Sequence, residues 1–247
     1  MITVNVCAQR TARTALAALL LLALAMPAQA QVQRPRNGFA LKAPSTPEEI
    51  ELAKPNPQAP GFRIPFPPLS EMDPATRAAF ESSSKTFHTP VGNQMPLLLT
   101  PEVYDAYNQM RPALERSNIP QDLWQLTILM AARAFDSQFE WYIHGPQGQH
   151  VGIPADAVEA IRLGRKPKFA NPGQEATYRF LGDLLNDHKV SDATYERLRA
   201  IVGTRQIVEM TVLLGYYTGA AMTLAAHNVP LRADLKPPLP ALKRKFP

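Results

Sequence analysis

The sequence predicts an all-α fold, a single helical domain preceded by a proline-rich arm. Three observations point there. From Ser70 onward, nearly every segment opens on a helix-start signal and closes on Gly or Pro. Alternating β-branched runs joined by Asn-Gly or Asp-Gly, the mark of hairpins, are nearly absent. The chain has 247 residues, enough for one sizeable domain after an N-terminal leader is set aside.

That leader is residues 1–30. Arg10 and Arg13 stand without an acidic residue, an apolar run rich in Leu and Ala follows over 14–26, and Ala28-Gln29-Ala30 supplies a small-x-small cleavage site. Basic, apolar and small-residue regions in that order predict a secretory signal peptide cut after Ala30, and so a periplasmic or secreted protein. The competing reading, an uncleaved anchor, meets two objections. The run is shorter than the ~20 residues a spanning helix needs, and Pro27 ends it. Cys7 is the only cysteine and lies inside the leader. A mature chain of 31–247 then carries no thiol, which leaves no disulfide, thiolate metal site or cysteine nucleophile. Cleavage also removes two arginines and no acid, taking the formal charge from +5 to +3. With no basic stripe interleaved with aromatics, nucleic acid is not an expected partner.

Residues 31–68 hold nine prolines and no sustained apolar period, so they read as an extended arm. The helices follow in order from their starts. Asp73-Pro74 opens one to about Ser84, and Thr100-Pro101 opens the next to about Ser117, with proline at the first helical position. Ile119-Pro120 begins a long helix expected to end near His144, before Gly145-Pro146. Pro154 starts a short helix that stops at Leu163-Gly164, and Pro172-Gly173 starts one to about His188. Ser191 caps another, and Gly203-Thr204 begins the last, which ends near Asn228. In that last helix, residues 210–226 are uncharged and contain Gly215-x-x-x-Gly219. The pattern suits close packing in a core or subunit interface. Thr211, Tyr216, Tyr217, Thr218 and Thr223 make it too polar for a comfortable membrane span. The domain is taken as 69–231, with 232–247 a basic, proline-rich tail beyond it.

The long helix at 120–144 carries the chemistry. Arg133, Ser137, Glu140 and His144 recur at spacings of four, three and four, which at ~100° per residue places them on one line. Ile128, Ala132, Phe135, Phe139 and Tyr142 form an apolar face on roughly the other side. A helix packed on two sides turns such a stripe toward an interior or a cleft. Glu140 and His144, four apart, can hydrogen-bond. A carboxylate there would raise the imidazole pKa and fix its tautomer, as a general acid/base needs. Arg133 offers a planar cation suited to a ligand carboxylate, and Ser137 a hydroxyl beside it. The structural alternative is a buried ion-pair ladder from Arg133 to Glu140, with His144 as a satisfied partner. His88, His150, His188 and His227 are scattered without metal-ligand spacing, and no Gly-rich phosphate loop or Gly-x-Ser-x-Gly occurs. No metal and no cofactor are expected.

Three segments, "LTILMAARAFDSQFEWYIHGP", "VGIPADAVEAIRLGRKPKFANPGQEATYRFLGDLL" and "KVSDATYERLRAIVGTRQIVEMTVLLGYYTGAAMTLAAHNVPL", resemble the carboxymuconolactone decarboxylase family. The superfamily also contains the alkyl hydroperoxide reductase D-like (AhpD-like) peroxidases. The likeness spans 69–231 and implies an all-helical domain that assembles into trimers or hexamers, with active sites near subunit contacts. In the peroxidase branch a Glu, a Cys-x-x-Cys and a His lie on one helix. Those positions fall here on Gln125, Ser137, Glu140 and His144, so the resemblance does not bring thiol peroxidase chemistry with it. The decarboxylase branch has a Glu-x-x-x-His that Glu140 and His144 match. It implies His144 as acid/base on a lactone or enol intermediate, Glu140 orienting it, and Arg133 and Ser137 holding a small carboxylated or lactone substrate without a cofactor. A non-catalytic, ligand-binding or structural oligomer of the same fold is the alternative.

Overall fold

In the computed structural model, residues 61–64, 69–87, 92–231, 235–243 and 245–247 are described. The chain divides into two units, Met1–Leu41 and Lys42–Pro247, and every described residue belongs to the second. The expected signal peptide and most of the arm lie outside the described residues.

The described chain is helical and contains no strand. A 3-10 turn at Leu69–Glu71 leads into α1 (Pro74–Phe87), whose first amides at Ala75 and Thr76 are both accepted by Asp73 Oδ1 at 3.0 Å. The short α2 (Gln94–Leu97) and α3 (Pro101–Glu115) follow, α3 with proline in its first turn as the sequence predicts. Then come α4 (Gln121–Ala134), α5 (Gln138–His150), α6 (Ala155–Arg162) and α7 (Pro172–Asp187). Finally α8 (Asp192–Ala226) consists of two helices that meet at a kink at Gly203, where φ is 80° and ψ is 161°. The two helices expected around Gly203 are thus joined through a backbone conformation that glycine adopts without steric cost.

The core forms around α4. Leu126, Ile128, Leu129 and Met130 are fully enclosed because α5, α7 and α8 pack against different sides of the same helix. Leu213, Leu214, Tyr217, Ala221 and Leu224 form the buried stripe of α8. By length and composition α8 could cross a membrane. Its inward stripe is a core face, and Val208, Val212 and Met222 stay exposed on the outward one.

One expectation fails at the centre of the fold. The single helix over 120–144 is broken into α4 and α5. At Asp136 φ is 53°, a left-handed turn that Asp tolerates better than most side chains. Ser137 then caps α5 by accepting from the amide of Glu140 at 3.4 Å. Helix α5 also runs past the expected stop at Gly145-Pro146, to His150. It doubles back against α4 at close range: a Cβ on Gly148 would lie 2.9 Å from Leu129 Cδ1.

The tail read as an appendage is part of the domain. Leu239 and Phe246 sit in the main apolar core, and the strap's carbonyls accept from Arg162 at Pro238 (2.7 Å) and Arg133 at Pro240 (2.9 Å). Lys245 Nζ reaches back to the carbonyl of Ala134 at 2.7 Å. Sequence pattern missed the strap because its apolar residues are single and non-periodic. Leu239→Ala is expected to cost about 2 kcal/mol, the usual order for a large-to-small core change, seen as a lower urea midpoint with unchanged slope.

Candidate active site

The break between α4 and α5 decides which residues meet. Because α5 lies antiparallel on α4, His144 faces Gln125 of the preceding helix, and its Nδ1 stands 2.9 Å from Gln125 Oε1. Gln125 Nε2 donates to Gln147 Oε1 at 3.1 Å, which keeps the amide oxygen turned toward the imidazole. Nδ1 must then carry the proton, leaving Nε2 as the lone-pair nitrogen. That nitrogen stands 3.5 Å from Glu140 Oε2 on the same helix. The tautomer is therefore fixed by Gln125, a residue the sequence marked only as the place of a lost glutamate, and not by Glu140.

The other walls come from α3 and α8. Tyr107 stacks on Tyr216 at 4.2 Å between ring centroids and donates its hydroxyl to the Tyr216 carbonyl at 2.9 Å. Tyr217 meets the His144 ring edge-on at 5.4 Å. Arg111, one turn beyond Tyr107 on α3, pairs with Glu115 at 2.9 Å, and its side chain is 36% exposed. It is the cation whose field reaches Glu140, His144 and both α8 tyrosines. Sequence reasoning missed Tyr107 and Arg111. Their i,i+4 spacing with Glu115 was the available signal, a polar and aromatic line on one face of α3.

Burial pushes the Glu140 carboxyl up to about 7, and Arg111 offsets only part of that. Burial, helped by Arg111, pushes His144 down to about 3. This reverses the expectation that a neighbouring carboxylate would raise the histidine, because here desolvation outweighs the pair attraction. Near neutral pH the imidazole is uncharged and Glu140 is about half protonated. Burial also raises Tyr217, and raises Tyr216 to about 12, so both hydroxyls remain donors.

The pH consequence follows by linkage. His144, depressed from 6.5 to about 3, contributes stability that is complete above pH 6.5 and lost as pH falls toward 3. Glu140, raised from 4.5 to about 7, contributes stability that is complete below pH 4.5 and lost as pH rises to 7. Between 4.5 and 6.5 the slopes oppose; below 4.5 only that of His144 remains. His144→Gln should therefore make the loss of stability between pH 4.5 and 3 shallower in urea titrations, with carboxyls held low, such as Asp73 and Glu159, supplying the rest. Superimposable wild-type and variant curves would remove His144 as a cause.

Arg133 and Ser137 do not join this site. Arg133 is fully buried on the far side of the α4–α5 corner. It donates to the carbonyls of Arg162 and Pro240, each at 2.9 Å, and pairs with Asp136. Ser137 is spent as the cap of α5. The expected four-residue line is thus divided into a cap, a structural anchor and the Glu140–His144 pair.

No protein-family model matches the chain, and no curated protein does. Among solved structures, the chain is similar to one described as the alkylhydroperoxidase AhpD core of an uncharacterized peroxidase-related protein from Ralstonia eutropha JMP134. The two are 18% identical, with a TM-score of 0.54 over 69% of this chain and 92% of that one. At that identity the likeness is one of architecture: the described chain has an all-helical, AhpD-like fold.

Proposed function

We propose that the protein is an exported, cofactor-free acid–base catalyst acting on a small carboxylated or lactone substrate by proton transfer or decarboxylation. The observation that carries this reading is the pairing of a neutral imidazole Nε2 with a carboxyl of pKa about 7 at 3.5 Å. Such a pair holds one acid and one base ready together near neutral pH. His144 Nε2 takes a proton from the substrate carbon and hands it to ionised Glu140, the stronger base of the pair, or, when CO₂ leaves, the electron pair stays as an enolate. Protonated Glu140 returns the proton to carbon. Arg111, at the partly open edge, takes the substrate-carboxylate role that the sequence gave to Arg133.

Export rests on the leader at 1–30. A homo-oligomer, a trimer or hexamer as the family resemblance implies, is supported by the outward face of α8. Exposed Val208, Val212 and Met222 lie there beside Gly215 and Gly219, whose Cβ positions meet nothing within 4 Å. Sedimentation of wild type against Val212→Asp tests it: an oligomer reduced to monomer supports the interface, and a wild-type monomer sinks it.

The catalytic test is a screen of lactones and β-keto or enol-forming carboxylates, followed by the pH dependence of kcat/KM. A profile with a limb near pH 7 that vanishes in Glu140→Gln supports acid–base work. Saturable binding without turnover would favour the ligand-binding reading instead.

A further inference from the structure

A cavity lies away from Glu140 and His144, between α7, the 165–169 loop and the C-terminal strap. Its volume is about 460 Å³, within the range of small-ligand sites. Its wall is aromatic. Phe169 and Tyr178 lie 5.8 Å apart between centroids, and Tyr178 meets Phe246 edge-on at 6.5 Å. Asn186 fixes Phe246 by donating to its carbonyl at 3.0 Å. Tyr178 is 7% exposed, yet its hydroxyl has no hydrogen-bond partner. Burying a hydroxyl unpaired is costly, so this position is poised for a polar group that a ligand would bring.

Gly182 is the second observation. It lies in the interior of α7, where glycine costs about 1 kcal/mol relative to alanine. It is buried, lines the cavity, and a Cβ built on it would meet nothing within 4 Å. The helix therefore gives up stability at a buried lining position where a side chain would have room.

The charges at the rim select the ligand. Glu175 is already taken by Arg179 at 3.0 Å and Arg197 at 3.7 Å. Lys166 and Lys168 make no ion pair among the described residues, although Asp183 and the chain-end residue Pro247, with its carboxylate, also line the cavity. The geometry points to a binding site for a small monocyclic aromatic carboxylate, its ring against Phe169, Tyr178 and Phe246 and its carboxylate toward Lys166 and Lys168.

Calorimetric titration of the full chain with 4-hydroxybenzoate, benzoate and benzylamine tests this. Saturable binding of the two carboxylates and none of the amine is expected. Lys166→Ala/Lys168→Ala should weaken it about tenfold. Gly182→Leu should abolish it while leaving the melting temperature unchanged or higher, and Glu140→Gln should leave it intact. Absence of carboxylate binding, equal binding of benzylamine, or binding that survives Gly182→Leu but is lost in Glu140→Gln would each overturn the proposal. The last outcome would place the ligand at the Glu140–His144 site.

Discussion

Replacing Arg133 with methionine is expected to lower stability by about 3–5 kcal/mol, the cost of stranding buried partners of a removed charge. The guanidinium holds three segments together: the α4–α5 corner through Asp136, the end of α6 through the Arg162 carbonyl, and the strap through the Pro240 carbonyl. Methionine fills the space but leaves both carbonyls without that donor. Asp136 suffers less, since its side chain is 37% exposed and Lys245 remains at 2.9 Å. For a domain of this size the loss corresponds to a melting point lower by roughly 8–15 °C. Arg133→Lys should recover only part of it, because a single ammonium on a shorter reach does not present the planar fork that the three acceptors use. The sequence alone suggested that Arg133 holds substrate. A raised KM with an unchanged melting point in Arg133→Met would restore that role.

The contrast between Arg133 and Arg111 shows where the sequence was legible and where it was not. Helix starts at Asp73, Pro101, Pro172 and Ser191 could be read because a cap is a local event, decided by one side chain and its next few amides. The Glu140–His144 pair could also be read, since four residues along a helix is a fixed geometry. The break at Asp136 was hidden. Apolar periodicity continues across it, and the left-handed turn is stabilised by Arg133 and Lys245, the latter 109 residues further on in the strap. Once that corner is introduced, the extrapolated line from Arg133 to His144 loses its meaning. Gln125, Tyr107, Arg111 and Tyr217 come to the site from three other helices, and no spacing in one segment encodes such a meeting. The histidine pKa was misjudged for a related reason: the pairwise attraction is visible in sequence, but the depth of burial that overrides it is not.

Glu140→Gln separates chemistry from stability at the proposed site. The amide keeps the shape of the carboxyl but can neither give nor take a proton at working pH. Loss of a general acid/base typically costs about 10²–10⁴ in rate, and a fall of that size in kcat/KM is expected on any substrate the screen yields. Stability should move the other way. Above pH 7 the wild type holds an ionised, buried carboxylate whose pKa burial has raised from 4.5 to about 7, and the variant holds none. The variant should therefore match or exceed wild type above neutrality, and the advantage should disappear below pH 4.5, where Glu140 is protonated in both folded and unfolded chains. A buried ion-pair ladder predicts the opposite sign, because removing one charge strands its partner at about 3–5 kcal/mol. Melting curves of Glu140→Gln at pH 4 and pH 8 distinguish the two. A large loss at both would make Glu140 a structural residue. A gain confined to pH 8 would mean that the fold tolerates a costly carboxyl beside His144, as expected where stability yields to function.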